Sequence, residues 1–321
     1  MRKYQVVFFG TSEFAVPALN SLLESQEIEV NAIVSQPDKP TGRHQELTPT
    51  PIKAFVAKTG IPVLQPESLK KNSDFEELLR NLEPDLFVVV SYGQIIPKRL
   101  LEIPKFGALN VHGSLLPRYR GASPIQQSLL SGDTQTGITI IKINEKMDEG
   151  PILFIKRIPI EETDTFETLY AKLAALGGEF IAPVALDYID ETLGPIPQDH
   201  SRATYCEKIE KEDGRINWKV VTAEEIHNRI RAFTPWPGCF TIWNGKRLKI
   251  LKTKVQADAK EKAGVMKIHT GEGGEKELWI GTKHGALMAE KLQIEGKGEM
   301  DAKTFINGYS SKIQEVPELS N

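Results

Sequence analysis

Residues 5–9 (Gln-Val-Val-Phe-Phe) form a short apolar run. Residues 13–24 then carry Phe14, Ala18 and Leu22, with Leu19 and Leu23, at helical spacing, and residues 28–34 are apolar again. A buried strand, an amphipathic helix and a second strand in that order predict parallel pairing through a right-handed crossover. The alternation continues. Residues 51–59 read as a helix opened by Pro51, 61–64 as a short strand, 74–81 as a helix and 85–90 as a central strand. Strands follow at 108–111, 136–143 and 152–158, with a helix starting at 124–130 and a long amphipathic one over 164–188, capped by Thr163 or Asp164. Residues 1–190 therefore read as an α/β domain: a Rossmann-like, mostly parallel sheet with helices on both faces. The first turn holds a single glycine, Gly10, and lacks the Gly-x-Gly-x-x-Gly pattern, so no dinucleotide is indicated.

Residues 35–50 break the alternation. About 16 residues without apolar periodicity, carrying Lys39 and Arg43, form a connection too long to be idle in a compact domain. A second break comes at 191–206, where Gly194-Pro-Ile-Pro197 reads as a linker. From 207 to 321 the chain changes character. A helix over 223–231 precedes short strands at 240–243, 248–255, 265–269, 278–281 and 286–292, with Asn244-Gly245 as a hairpin turn. Closely spaced short strands suggest a small β-barrel.

The 321 residues suffice for two such domains. No apolar stretch reaches the roughly 20 residues of a membrane span. The apolar run after Met1-Arg-Lys is too short for a signal peptide. Cys206 and Cys239 stand in no metal or redox spacing, which points to the cytoplasm. The net charge of −3 conceals an asymmetry: from Glu207 onward 20 Lys and Arg stand against 17 Asp and Glu. Between Ile226 and Ala257 lie Arg229, Arg231, Lys246, Arg247, Lys249, Lys252 and Lys254 with no acid among them. Such a strip is either a polyanion-binding surface or a solvated strand face.

The densest chemistry is Asn110-Val-His112-Gly-Ser114-Leu-Leu-Pro117-Arg-Tyr-Arg-Gly121, with Lys146-Met-Asp148-Glu-Gly150 further on. Asn110 and His112, two apart on a strand, project to the same side. A turn-rich loop follows at once, the usual setting of an α/β active site. An imidazole moves protons near neutral pH, and a neighbouring carboxylate favours the charged ring. Imidazole and carboxamide N–H groups aimed at one point can hold the oxygen of a tetrahedral intermediate. Ser114 lacks a nucleophile elbow and neither cysteine is in the motif, so direct transfer between two bound substrates is the expected chemistry. Each residue alone also has a plain structural reading: a satisfied histidine, a cap or turn asparagine, and an aspartate opening a turn before Gly150. The six histidines show no metal-ligand spacing, so no metal is expected.

Over nearly its whole length the chain resembles the methionyl-tRNA formyltransferases, a branch of the folate-dependent formyltransferases. Asn110-x-His112 with Asp148, and the loop Ser114-Leu115-Leu116-Pro117, are shared with the wider group. Phe9-Gly-Thr-Ser-Glu-Phe14-Ala, the insertion Gln36-Pro-Asp38-x-Pro-x-Gly-Arg43 and Arg231-Ala-Phe-x-Pro-Trp-Pro237 point to the tRNA branch. The resemblance implies 10-formyltetrahydrofolate as donor and methionyl initiator tRNA as acceptor. His112 and Asn110 would stabilise the oxyanion, while Asp148 tunes His112 and relays protons. The folate would lie against Ser114–Pro117 and Tyr92, Gly93, Gln94, Ile95 and Ile96. Arg43 and Lys39 would reach the tRNA acceptor end. A C-terminal OB-like barrel would carry the basic strip onto the phosphate backbone. The chain departs from its resemblance in having His44-Gln-Glu46 after Arg43, where Gly-Lys-Lys is common. Nothing in the sequence demands more than a monomer. Two rival readings remain at this point: a formyltransferase for a small amine such as an amino sugar nucleotide, which needs no basic strip, and a non-catalytic nucleic-acid-binding module, which tolerates loss of His112.

Overall fold

A computed structural model describes residues 2–42, 45–315 and 319. Arg43 and His44 lie outside the described residues. The chain divides into two compact units. One comprises 1–124, 135–159 and 170–206, and the other 125–134, 160–169 and 207–321.

The first unit contains β1 (Tyr4–Gly10), α1 (Val16–Glu24), β2 (Ile28–Val34), β3 (Lys39–Thr41), β4 (Glu46–Thr48), α2 (Pro51–Phe55), β5 (Val63–Leu64), α3 (Ser73–Asn81), β6 (Leu86–Val90), α4 (Lys98–Leu101), β7 (Ala108–His112) and β8 (Arg120–Gly121). After α5 (Pro124–Leu130), which beyond Pro124 belongs to the second unit, come β9 (Gln135–Lys142), β10 (Ile152–Pro159), α6 (Phe166–Ile189), of which 170–189 belong to the first unit, and β11 (Tyr205–Cys206). Seven strands make one sheet in the order β10-β9-β7-β6-β1-β2-β5. The five from β7 to β5 are parallel; β9 and β10 are antiparallel, as expected of a late hairpin. From β1 the chain first builds outward through β2 to β5, then returns to place β6 on the other side of β1. That reversal opens a crevice at the carboxyl ends of β1 and β6, where ligands of such sheets bind.

Side-chain alternation gives each strand two tasks. Val7, Phe9, Ala32, Val34, Phe87, Val89 and Ala108 join Phe75 and Leu79 of α3 and Leu100 of α4 in one core layer. Asn110 and His112 share the parity of Ala108, so they extend this face beyond its apolar part. Val111 points the other way, toward α6. A Cβ on Gly177 would stand 3.1 Å from Val111 Cγ1, and one on Gly178 2.8 Å from the Pro17 backbone. The two adjacent glycines weaken the helix intrinsically but let it approach β7 and α1 closely. α6 also corrects the expectation that no apolar stretch reaches membrane length, since its 24 residues pass by length and composition. Leu173, Ala174, Ile181, Ala185 and Ile189 are buried within the protein, as in a core helix. Its N-terminus is capped by Thr165, which accepts from the Thr168 N–H, rather than by Thr163 or Asp164.

Two aperiodic stretches carry hydrogen-bonded structure among the described residues. The 35–50 connection carries the β3–β4 ribbon and is tied at its base, where the Asp38 carboxylate accepts from Lys53 Nζ (2.6 Å) and Gln65 Nε2 (2.7 Å). Those bonds, Gln65 first and Lys53 second, hold the Asp38 carboxyl below the usual carboxylate range. The 191–206 stretch is no free linker: Ile196 bridges Ile152, Gln198 is buried, and β11 pairs in parallel with β8. Its prolines remove periodicity but not hydrogen bonding, which here runs to residues distant in sequence.

The second unit contains α7 (Ala223–Phe233), β12 (Cys239–Trp243), β13 (Lys246–Gln256), β14 (Met266–Thr270), β15 (Lys276–Gly281), β16 (Ala286–Ile294), β17 (Glu299–Asp301) and α8 (Ala302–Glu315). The strands pair antiparallel in the order β12-β13-β16-β15-β14, with β17 on β16, a barrel-like arrangement. Asn244 and Gly245 both have positive φ, as a two-residue hairpin requires. Thr222 and Glu225 form a capping box at α7. Trp243, Phe305 and Tyr309 cluster in the core.

Candidate active site

The site grows from the end of β7. His112 is 6% exposed, and its Nε2 lies 2.8 Å from the Tyr119 carbonyl oxygen. A carbonyl only accepts, so Nε2 carries the hydrogen and the ring presents Nδ1. Nδ1 faces Asp148 Oδ2 at 3.6 Å, longer than a hydrogen bond. Asp148 belongs to no strand. It sits in the β9–β10 connection at φ +52, a left-handed conformation, and its Oδ2 accepts from the Gly121 N–H at 2.9 Å. Asn110 stands two residues before His112 on the same face, half-buried, and its carboxamide has no hydrogen-bond partner among the described residues. Imidazole and carboxylate thus meet over 36 residues of sequence, with an uncommitted amide on the same strand face.

The return of the chain after β7 is fixed by Thr139, fully buried and opposite His112 in the β7–β9 ladder. Its hydroxyl donates to Ser114 O (2.7 Å) and accepts from Leu116 N (3.1 Å). The Ser114 hydroxyl donates to Arg118 O, and both Ser114 and Leu116 are buried. These two residues shape the loop from within, leaving Leu115 and Pro117 half-buried beside it. β8 follows, and Gly121 there has φ +115. A Cβ on it would fall 2.2 Å from Cys206 O, so only glycine fits.

At the crevice between β1 and β6, Thr11 Oγ1 donates to Tyr92 O (2.8 Å) and Ser12 bonds Ser91 (2.7 Å). Gly93 and Ile95 are exposed, Ile95 at 72%, and Gln94 is fixed to Glu67 and Leu69. Tyr92 and Ile96 instead turn into the core layer. The Tyr92 hydroxyl is buried with no hydrogen-bond partner among the described residues, and burial raises its pKa to about 12. Within 92–96, then, Gly93 and the Ile95 side chain are exposed, the half-buried Gln94 amide is held at Glu67 and Leu69, and Tyr92 offers its backbone. Thr11, Ser12, Tyr119, Thr139 and Gln198 escaped sequence reasoning. Thr11 and Ser12 were findable, because they follow directly on β1 at the switch point; Gln198 had no local signal.

The basic strip divides. Arg231 is committed internally: Nε and Nη2 donate to Asp164 O and Glu161 O, both at 2.7 Å, and Nη1 to Asn228. It is a structural residue and not a free cation for nucleic acid. Lys252 and Lys254 both pair with Glu290 of β16, at 3.2 and 3.0 Å. Burial opposes the charge of Glu290, but Lys254 and Lys252 outweigh it and hold the carboxyl below its usual range. The acid missing from the 226–257 sequence is thus supplied by a neighbouring strand. Arg247 lies over the Phe240 ring at 3.9 Å. Lys246 is exposed, Lys249 is half-buried beside Gly238, and Arg229 reaches Arg215 O at 3.5 Å. Lys39 is exposed on β3.

Comparison with known proteins agrees with this architecture. A model of the family described as formyl transferase matches residues 3–185, and one described as its C-terminal domain matches 208–310. A methionyl-tRNA formyltransferase of Caldicellulosiruptor saccharolyticus is 41% identical over 315 residues, 97% of this chain and 99% of that protein. One from Dictyoglomus turgidum is 42% identical over 320 residues, 98% and 100% of the two chains. The chain belongs to the methionyl-tRNA formyltransferases. Among solved structures, the sugar 3N-formyltransferase WlaRD has the same fold (TM-score 0.63, 22% identity, 93% of this chain and 100% of that one).

Two hydroxyl deletions test the site's framework. Thr139→Val leaves a buried carbonyl and N–H unpaired and should lower unfolding free energy by about 1–3 kcal/mol. Tyr92→Phe removes a hydroxyl that bonds nothing, so denaturant melts should show unchanged or higher stability. The raised Tyr92 pKa adds a signature. Above pH 10 the unfolded chain ionises this tyrosine while the folded one does not, so wild-type stability falls between about pH 10 and 12. Tyr92→Phe should lose that part of the fall.

Proposed function

We propose that this enzyme transfers the formyl group of 10-formyltetrahydrofolate to the amino group of methionyl initiator tRNA, in the cytoplasm, for translation initiation. The observation that carries this reading is likeness at 41–42% identity over nearly the whole of both chains. The apposition of His112 and Asp148 supports it. Folate chemistry is supported further by two solved structures of the same fold, one determined with 5-N-formyl-THF and one with tetrahydrofolic acid.

The reaction moves one acyl group and one proton. The methionyl amine attacks the formyl carbon, and its electron pair forms the new C–N bond while the carbonyl π pair moves onto oxygen. With Nε2–H on the Tyr119 carbonyl, His112 in its doubly protonated form donates to that oxygen from Nδ1, and the Asn110 carboxamide donates from the same strand face. Two such donors preorganised in a dry site act where charge develops. Asp148 has one oxygen engaged with Gly121 N–H. The other takes the proton from the attacking nitrogen and passes it to the folate nitrogen as the tetrahedral intermediate collapses. The 3.6 Å interval between Nδ1 and Oδ2 is longer than a hydrogen bond, so the Nδ1 position is not committed to the carboxylate. The loop Ser114–Pro117 and residues Gly93, Gln94 and Ile95 flank the donor. Lys39 and Arg43 meet the acceptor end, while Lys246, Arg247 and Lys249 attract phosphates.

His112→Ala should lower turnover by roughly two orders of magnitude or more while leaving tRNA affinity nearly intact. Single-turnover formylation of charged initiator tRNA, beside filter binding, checks both halves; normal turnover in that variant excludes the role. Lys249→Ala should weaken tRNA binding and flatten its salt slope by about one. Lys252→Ala should flatten the slope less, because Glu290 already offsets that lysine. Equal slopes for the two variants would refute the division of the strip.

A further inference from the structure

Arg120 is 1% exposed and belongs to no substrate-facing surface, yet every donor of its guanidinium is engaged. Nε and Nη2 donate to Gln198 Oε1 (3.1 and 2.8 Å), Nη1 to Tyr205 Oη (3.1 Å), and Nη2 to His200 Nδ1 (3.0 Å). Nη1 lies 3.4 Å from Glu149 Oε1, to which Tyr205 also donates at 3.0 Å. The Tyr205 hydroxyl, with Lys146 and Arg120, keeps the Glu149 carboxyl below its usual range against partial burial.

The guanidinium has only donors, which settles how the Gln198 amide is turned. Its oxygen must face Arg120, so its NH2 faces away. That group donates to the carbonyls of Asp148 (2.8 Å) and Gly150 (2.7 Å). The Asp148–Gly150 turn is thereby gripped from behind through Gln198 and from one side through Glu149. Its front, the Asp148 carboxylate, rests on the N–H of Gly121, next in sequence to Arg120. Asp148 itself holds a left-handed backbone conformation that a non-glycine residue keeps only under external constraint.

We infer that Arg120 and Gln198 are positioning residues for formyl transfer, acting through the backbone of Asp148. Residues 191–206 are by this inference an arm of the active site. The inference rests on the formyl-transfer reading above. Misplacing a catalytic group by about 1 Å costs up to 100-fold in rate, so loss of this grip shows in turnover ahead of binding.

Arg120→Ala would leave the buried Gln198 amide oxygen and the Glu149 carboxylate without their cation and endanger folding, so Gln198 carries the test. Gln198→Met removes both halves of the amide; Gln198→Glu keeps an acceptor for Arg120 but abolishes the two donors. Both variants should lose about 10- to 100-fold in kcat, with KM for donor and tRNA within about twofold. Neither should lower kcat further in an Asp148→Asn background. Tyr205 is 62% exposed, so Tyr205→Phe spares the fold and should show a few-fold fall of the same kind. A readout independent of activity is the Gly121 amide resonance of 15N-glycine-labelled protein, which should move in Gln198→Glu as it does in Asp148→Asn. Wild-type kcat in Gln198→Glu, an equal further loss in the Asp148→Asn background, or an unmoved Gly121 amide overturns the inference. A wild-type chain that fails to formylate overturns the functional reading instead, and the Gly121 resonance still decides the positioning.

Discussion

One buried hydroxyl fixes how the chain returns after β7. Thr139 donates to Ser114 O and accepts from Leu116 N, so two main-chain groups that would otherwise be stranded in the interior are paired by a residue of the neighbouring strand. With that return fixed, Tyr119 and Gly121 come to lie beside the strand they left. The imidazole and the carboxylate are then held by the groups nearest them. The order of dependence runs from the β7–β9 ladder to the loop, and from the loop to His112 and Asp148.

The sheet was legible because its signals are local. Residues 28–34, read from the sequence as a strand, are β2 (Ile28–Val34), and the helix over 74–81 differs from α3 by one residue. Asn244-Gly245 declared a hairpin because few residue pairs accept positive φ twice. Asn110 and His112 were legible as a pair for the same reason: two-residue periodicity puts them on one face. Boundaries moved where hydrogen bonds to distant residues decided them, as in the 35–50 connection tied by Asp38 and the 191–206 stretch tied by Gln198.

What remained hidden was direction. Sequence spacing says which residues are candidates, not which way a side chain turns. Tyr92 stands among the expected folate contacts yet packs edge-on against Phe9 at 5.4 Å. Arg231 reads as part of a basic strip yet donates to carbonyls of the 160–169 segment. The charge count around Lys252 and Lys254 omitted Glu290, because a strand neighbour contributes charge that a sequence window cannot see.

The nearest tethers of His112 and Asp148 are the Tyr119 carbonyl and the Gly121 N–H, both backbone atoms. A point mutation exchanges side chains and leaves the peptide in place, so neither tether can be deleted by one amino-acid change, save proline at 121. The vulnerability of the His112–Asp148 pair is displaced to whatever keeps residues 119–121 in position. Genetic damage to this enzyme should accordingly concentrate in the residues that steer that short run of backbone, several of which never meet a substrate.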